Sequence, residues 1–431
     1  MAFERLRQAL GGLGNVGRAL SHRNYRVYIS GNSIQLTGTW LQRVSCGWLA
    51  WTLTHSGAWL GIMSMAEFLP VMFVAPLAGV MADRHDRVSI IRITQLIACG
   101  QAILLAILVS TGLISIYLLF ALVMLLGINQ GIAQPARLAL IPTLVDRAAL
   151  PSALAINSIV FNSARFIGPA IAGLLIAHVG IGTSFAVNAL SYVAFQVSLA
   201  NLRDIPPLPV REAQNALRAS LEAFFYASRH PGIAPMLLLF CVTTIGTRGF
   251  VELFPGFADN VFHRGPQGLA MLTSTVGLGA IFGGSWMLIR SQINGLTTIV
   301  LANTLVMSLA IIAFTATDNF TLALPCVFIA GAAMVVTGIG AQTLIQASTD
   351  RAMAGRVMAL YGMIFRAGPA LGAVLTGTAS VHFGLRLPLA LGATVSCACW
   401  LLTLNRRRAI VASLEETPLV PAAAAPAERG A

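Results

Sequence analysis

The chain has no lysine; each of its 27 basic residues is an arginine. A Gly-x-x-x-x-Gly-Lys phosphate loop and a Schiff-base amine are therefore both impossible, which excludes ATP hydrolysis by that route and imine chemistry. His-Glu-x-x-His and Gly-x-Ser-x-Gly are also missing, which removes the matching zinc-peptidase and serine-hydrolase readings. Charge of either sign is scarce: 10% of 431 residues, against about 25% in a soluble domain. The six cysteines (Cys46, Cys99, Cys241, Cys326, Cys397 and Cys399) lack metal-ligand spacing. Most fall in apolar runs, where a thiol acts as a small core residue. No catalytic residue, metal site or cofactor is expected.

What the chain does have is hydrocarbon. Hydrophobic residues make up 57%, and the length holds about a dozen spans of roughly 20 residues with short loops. Apolar windows fall at 25–54, 58–81, 88–110, 115–141, 150–177, 182–202, 233–261, 267–289, 296–315, 320–346, 355–381 and 385–404. Tilt, or extension beyond the lipid, absorbs the excess of the longest. The formal charge of +12 would suggest nucleic acid in a soluble protein, but cytoplasmic loops of membrane proteins also collect basic residues. Arginines gather in the N-terminal arm, near 84–92, 137–147, 203–229, 290 and 351–356, and in the tail; the opposite loops hold Arg264 and Arg386. This bias predicts a protein of the inner or plasma membrane with both termini cytoplasmic and no nucleic-acid partner.

The expected organisation has five parts. Residues 1–23 lack a signal-peptide core and place Phe3, Leu6, Leu10, Leu13 and Leu20 at helical spacing, as in an arm on the cytoplasmic surface. A first six-helix bundle occupies 24–202. The linker 203–232 is extended at Pro206, Pro207 and Pro209, then amphipathic, with Leu217, Leu221, Phe224 and Phe225 on one face. A second bundle occupies 233–405. The tail 406–431, rich in Ala, Pro and Glu, is expected to be disordered. A degenerate repeat supports the two bundles: Asp146-Arg147-Ala148 precedes Gly168-Pro169-Ala170, and Asp350-Arg351-Ala352 precedes Gly368-Pro369-Ala370.

Six charges fall well inside the windows: Arg43, Glu67, Arg165, Arg248, Glu252 and Arg366. Each costs several kcal/mol in lipid, so each calls for a partner or a wet space. Arg43 and Glu67 lie on either side of a turn near His55–Gly57, both roughly 17 Å deep at 1.5 Å per residue. Equal depth permits an ion pair, either static or part of a proton relay. In the relay reading Glu67 is caught between burial, which favours the protonated form, and Arg43, which favours the charged one. Arg248 and Glu252 stand at i and i+4 and so share a helix face, either as a mutually hiding pair or with Glu252 free for a proton or substrate. Pro255 follows and could break the helix. Arg165 and Arg366 precede the two Gly-Pro steps, where they could line a substrate cavity or be neutralised by Glu67 or Glu252. Asn129, Gln130 and Asn162 suit interhelical hydrogen bonds or substrate contact equally.

The segment Gly79-Val80-Met81-Ala82-Asp83-Arg84-His85-Asp86-Arg87 resembles the loop between spans 2 and 3 of the major facilitator superfamily, Gly-x-x-x-Asp-Arg-x-Gly-Arg plus a further basic residue. Asp86 stands for the second glycine and Val88 for the last basic residue. Gly168-Pro169-Ala170-x-x-Gly173 resembles the fifth-span pattern of proton antiporters. Arg356-Val357-Met358-Ala359-Leu360, Leu253-Phe254-Pro255-x-x-Ala258-Asp259 and Gly277-x-Gly279-Ala280-x-x-Gly283 resemble spans 11, 7 and 8 of the drug:proton antiporter branch, in the subgroup of macrolide and enterobactin exporters. The fourth-span pattern Arg-x-x-Gln-Gly keeps Gln130 and Gly131 but has Gly127 for the arginine, so the pattern's proton role carries over only if Arg43 or Arg165 supplies that charge.

The resemblance implies an all-α membrane protein of twelve transmembrane helices in two pseudo-symmetric six-helix bundles. It implies a monomeric secondary transporter in the lipid bilayer, driven by a proton gradient and exporting drugs, siderophores or similar amphipathic molecules by alternating access. Glu67 and Glu252 would couple protons. Arg43, Arg165, Arg248, Arg366, Asn129, Gln130 and Asn162 would line the cavity. Gly79, Asp83, Arg84, Arg87 and Arg356 would form a cytoplasmic latch. Gly168, Pro169, Gly173, Pro255, Gly368 and Pro369 would shape the helices. An uptake facilitator and a non-transporting sensor are the alternatives on the same scaffold.

Overall fold

The computed structural model describes residues 17–203, 216–290, 292–350 and 352–415; the side chains at 76, 80, 82, 83 and 216–220 fall outside the description. Most of the expected N-terminal arm, the proline-rich half of the linker and the tail beyond 415 therefore lie outside the described residues.

Six long helices form the first half: α1 (Arg23–Thr54), α2 (Gly57–Arg84), α3 (Arg87–Ser110), α4 (Ile116–Leu140), α5 (Leu150–His178) and α6 (Ile181–Ala200). The linker helix α7 (Ala216–Arg229) leads to the second half: α8 (Ile233–Gly246), α9 (Gly265–Arg290), α10 (Leu296–Ala316), α11 (Phe320–Ser348), α12 (Ala354–Phe383) and α13 (Arg386–Leu404). A short α14 (Arg407–Leu414) ends the described chain.

Among the described residues eleven helical segments are long and apolar enough to cross a membrane. The exception, α1, has the length of a span but carries buried Asn32, Gln35, Gln42 and Ser45. Polar groups in a membrane bundle are stable when their bonds are made internally. Here Gln42 Nε2 donates to Gln101 Oε1 (3.0 Å), Asn188 Nδ2 to Gln42 Oε1 (2.5 Å) and Arg137 Nη1 to Gln35 Oε1 (3.0 Å). These bonds tie α1 to α3, α6 and α4, and α1 makes the twelfth span.

Each half repeats one packing scheme. In the first, α1 packs on α5 and α6, α2 on α4, and α3 on α4 and α6. In the second, α8 packs on α12 and α13, α9 on α11, and α10 on α11 and α13. Two equivalent pairs, α2 with α12 and α5 with α9, join the halves. The repeated Gly-Pro steps serve the same purpose in both halves. A Cβ on Gly168 would lie 2.6 Å from the Thr37 carbonyl oxygen on α1, and one on Gly368 would lie 2.7 Å from Thr244 Cβ on α8. Glycine at both places lets the backbones approach, while Pro169 and Pro369 are carried inside continuous helices.

The two ends of the molecule differ. At the end bearing the His55 turn, one core runs through both halves and includes Trp51, Leu60, Met63, Phe250, Phe254, Phe257 and Phe314. At the arginine-rich end there are two separate cores. Tyr25, Tyr28, Ile91, Leu140 and Phe195 belong to the first half; Ile233, Phe240, Val300, Leu344 and Tyr361 belong to the second, with Ala223 of the linker and Ile410 of α14. The α2–α12 contact shows the same gradient. Near the His55 end a Cβ on Gly61 would lie 2.5 Å from the Ala373 carbonyl oxygen, and one on Gly377 would lie 2.2 Å from that of Gly57. Toward the other end Gly79, Gly355 and Gly362 have nothing among the described residues within 4 Å of such an atom. The halves are closed together at one end and parted at the other.

Three sequence expectations are corrected. The seventh span does not run unbroken from 233 to 261. Helix α8 stops at Gly246, a 3₁₀ turn covers Arg248–Val251, one α-turn covers Phe254–Gly256, and a π-turn covers Phe257–Val261. The break thus precedes Pro255, which sits at the start of the new turn, where its missing N–H costs nothing. The tail is not wholly without structure: α14 buries Ile410 and Leu414 against the second half. Glu415 then accepts from the amides of Gly295 (2.5 Å) and Thr297 (2.7 Å), which caps α10. Finally, Asp83 and Arg84 are the last residues of α2 rather than loop residues. Asp86, standing where the family pattern has glycine, is the N-cap of α3, its carboxylate accepting from Ser89 N (2.9 Å), Ser89 Oγ (2.6 Å) and Val88 N (3.3 Å).

Candidate functional site

Arg43 is the centre of the site. Its Nη2 donates to Glu252 Oε1 at 2.9 Å, and its Nε lies 3.6 Å from Glu67 Oε2. Glu67 belongs to α2 in the same half, whereas Glu252 follows the 3₁₀ turn in the opposite half. One guanidinium therefore joins a carboxylate from each half. The three side chains keep 32%, 25% and 22% of their surface open, so they border the space between the halves. That placement answers the cost of charge at this depth: each group has an opposite charge and some access to water.

Of the two readings for Arg248 and Glu252, the mutual pair does not form. The break in the seventh span rotates the two residues apart, so the i, i+4 rule fails. Arg248, 5% exposed, donates through Nη2 to the Met334 carbonyl (2.6 Å). Its guanidinium carbon lies 5.0 Å from the Phe240 ring centroid and 5.2 Å from that of Phe365. It is a buried structural cation, with ring faces and a carbonyl in place of an anion.

Arg165 and Arg43 share Trp40, at 5.5 and 5.4 Å from its ring centroid. Phe161 meets the same indole edge-on at 5.9 Å. Arg165 forms no ion pair with Glu67 or Glu252. On α5 the contacts with α1 run through Phe161 and Gly168, and those with α9 through Phe166 and Gly173. At 100° per residue, Asn162, Arg165 and Pro169 fall on the stripe between these two contact faces, toward the space between the halves. Asn162 is exposed there and bonds its own helix at the Ser158 carbonyl. Arg366 likewise pairs with no carboxylate among the described residues; its Nη1 donates across the halves to Gln134 Oε1 at 2.9 Å.

The remaining candidates scatter. Asn129 is buried and donates to the Thr94 carbonyl (2.8 Å), a bond between α4 and α3. Gln130 is half-buried on α4. Arg356 pairs with Glu222 of the linker helix; the Asp83 side chain lies outside the described residues. Arg84 is exposed at the end of α2, and Arg87 opens α3. Gly173 serves the junction of the halves, since a Cβ there would meet Ala270 of α9.

Several functional-looking residues escaped sequence reasoning. Trp40 is one turn before Arg43, a spacing that marks a shared face. Gln134 had no signal beyond its polarity. Arg137 lies within α4, its guanidinium carbon 5.3 Å from the Phe195 centroid. Asp259 is a further charge inside a predicted window, and that position is its signal; it accepts from Trp51 Nε1 at 2.9 Å.

Two like-packed helical halves, parted at one end and bridged by a shared charge, define a membrane transporter scaffold. The chain belongs to the transmembrane secretion effector family of the major facilitator superfamily, whose family model matches residues 18–428; it is a transporter, not an enzyme. It is 29% identical over 370 residues to the enterobactin exporter EntS of Shigella boydii serotype 4, covering 84% of this chain and 86% of that protein. It is also 29% identical over 170 residues to the staphyloferrin A transporter of Staphylococcus aureus, covering 39% of this chain and 42% of that protein, less than half its length.

Among solved structures, a bacterial homologue of the human lysosomal transporter Spinster, in an inward-facing and unoccupied conformation, matches with a TM-score of 0.72 at 16% identity, over 91% of this chain and 98% of that one. A bacterial homologue of the iron transporter ferroportin in an inward-facing state matches with a TM-score of 0.66 at 13% identity, over 89% and 98%. At these identities the likeness shows the fold.

Proposed function

We propose that this protein is a proton-coupled exporter of small amphipathic molecules, siderophores among them, working by alternating access in the cell's inner or plasma membrane. The observation that carries the reading is the Arg43 guanidinium held between Glu67 of one half and Glu252 of the other. A charge cluster across the moving boundary gives substrate and proton a common target. A proton on Glu252 weakens the bond that crosses the halves, and an anionic substrate competes with Glu252 for Arg43. Arg165, which has no ion-pair partner among the described residues, favours a substrate that carries negative charge.

The arginine-rich end faces the cytoplasm by the positive-inside rule, with both termini on that side. The described state is then open to the cytoplasm, ready to load an export substrate. The names of the enterobactin exporter and the staphyloferrin A transporter support siderophores as the class to try first. The default assembly is a monomer.

The test is secretion of a catecholate or carboxylate siderophore by producing cells with and without the protein. Export predicts less siderophore outside when the gene is removed. Unchanged secretion, together with faster entry of the same compound when the gene is present, would replace export by uptake. Glu67→Gln and Glu252→Gln are each expected to flatten the pH dependence of flux in proteoliposomes; flux that keeps its wild-type pH profile in both variants would remove the proton-coupling part of the reading.

A further inference from the structure

The broken seventh span lies along one stripe of α1. Arg43, Gly47 and Trp51 recur every four residues and so share a face, and His55 is the C-cap that ends the helix one turn further on. Opposite them are Glu252, Pro255, Gly256 and Asp259. Arg43 bonds Glu252. A Cβ on Gly47 would touch Pro255 at 3.7 Å, and one on Gly256 would lie 2.9 Å from Trp51 Cζ3. Trp51 Nε1 donates to Asp259 Oδ2 at 2.9 Å, and His55 Nδ1 lies 3.9 Å from the same oxygen. The seam thus has a polar rung at each end, about 12 Å apart at 1.5 Å per residue of α1.

From this geometry we infer that the Trp51–Asp259 bond is the lock of the closed end, and that Asp259 and Trp51 are positioning residues for the conformational cycle. The seam joins the two halves, so it must part for the closed end to open. Most contacts that hold this end are non-directional: small residues such as Gly57, Gly61 and Gly377 against backbone, and the shared aromatic core. Such packing slides. A hydrogen bond from an indole to a carboxylate does not.

Trp51 is 2% exposed, and an indole N–H has one donor and no alternative use. While the seam stays shut, losing Asp259 leaves that donor buried and unpaired, which favours the parted arrangement where water can reach it. The carboxylate is 38% exposed and His55 is 68% exposed, so the lock stands at the mouth of the seam and opens before the Arg43 rung. The break between Gly246 and Phe254 supplies the joint: it frees the outer turn from α8 and lets it swing with α9 while Glu252 still holds Arg43. The stepwise order gives substrate at Arg43 a barrier against premature escape.

The test needs no substrate, so it stands or falls apart from the export reading. Spin labels on Leu113, which is 71% exposed, and on Thr321, also exposed, report the separation of the halves at this end by double electron–electron resonance in lipid nanodiscs. A variant without the native cysteines serves as reference. Trp51→Phe keeps the ring and deletes the donor; Asp259→Ala deletes the acceptor. Each is expected to raise the long-distance population at least tenfold, and the double variant to go no further than the stronger single, since both remove one bond. Unchanged distances in both singles, or a rise in only one of them, would overturn the assignment. If Asp259→Ala gives no folded protein, Trp51→Phe decides alone.

Discussion

The two ends of this transporter are built from the same helices yet hold together differently. At the His55 end the halves share one core, and glycines on α2 and α12 press against opposing backbone. At the arginine-rich end each half keeps its own core, and the glycines of the same two helices face open space. Glycine therefore carries two meanings along one helix pair. Where a Cβ would collide, it records a contact made now. Where nothing is near, it leaves room for a contact made in another state. Two self-sufficient cores let the open end part without exposing either half's interior, and the single core at the closed end fixes where the hinge pressure falls.

The comparison can be broken first at the charge between the ends. Arg43→Gln leaves Glu67 and Glu252 facing each other without a cation. Removing one member of a half-buried, partly solvated ion cluster costs about 2 kcal/mol, between the exposed and the buried case, and transport is expected to fall by about thirtyfold, the size of a lost binding energy of that order. Flux in proteoliposomes beside a thermal unfolding curve checks both; wild-type flux would show that the cluster is a bystander.

A sharper contrast comes from one substitution placed at each end. Gly61→Leu drives a side chain into the Ala373 carbonyl, and overpacking of this kind costs about 1–3 kcal/mol. Gly79→Leu meets nothing in the described state and replaces glycine inside a helix, which gains about 0.5–1 kcal/mol. Gly61→Leu is expected to lower thermal stability and widen the closed end. Gly79→Leu is expected to keep stability and yet lose transport, because the parted ends must meet in the other half of the cycle. If Gly79→Leu transports normally, the ends do not close at this position.

The smallest effect belongs to Asp86. Partial burial works against its ionised form, but the Ser89 hydroxyl, the Ser89 and Val88 amides and the charge of Arg92 outweigh it and hold the carboxyl below the ordinary aspartate range. A lowered value in the folded protein means that this contribution is present above the ordinary range, near pH 4. It is lost as pH falls further and the folded carboxyl protonates. Asp86→Ala should cost about 1 kcal/mol as a lost helix cap, and the difference from wild type should shrink in acid. A difference that persists unchanged at low pH would show that the cap acts through shape and not charge.

Most of the fold was legible because lipid punishes unpaired backbone and charge, leaving long apolar windows between short polar turns. The window 58–81 became Gly57–Arg84 and 320–346 became Phe320–Ser348. Equal depth from a turn brought Arg43 and Glu67 together correctly, since it needs only a constant rise per residue. The i, i+4 rule fails for Arg248 and Glu252 because it assumes an unbroken helix, and α8 stops at Gly246, ahead of both residues. The Arg43–Glu252 bond joins residues 209 apart in sequence and belongs to no local pattern. Asp86 is legible in the sequence: an aspartate ahead of Arg87-Val88-Ser89 and an apolar run marks a helix start.

Glu415 closes a debt left open much earlier in the chain. The amides of Gly295 and Thr297, at the start of α10, are met by that carboxylate, 120 and 118 residues further along the chain. During synthesis the ninth span must therefore wait, its leading turn uncapped, while three more spans are made. A chain cut just after Leu404 would keep every crossing helix and still leave that turn frayed.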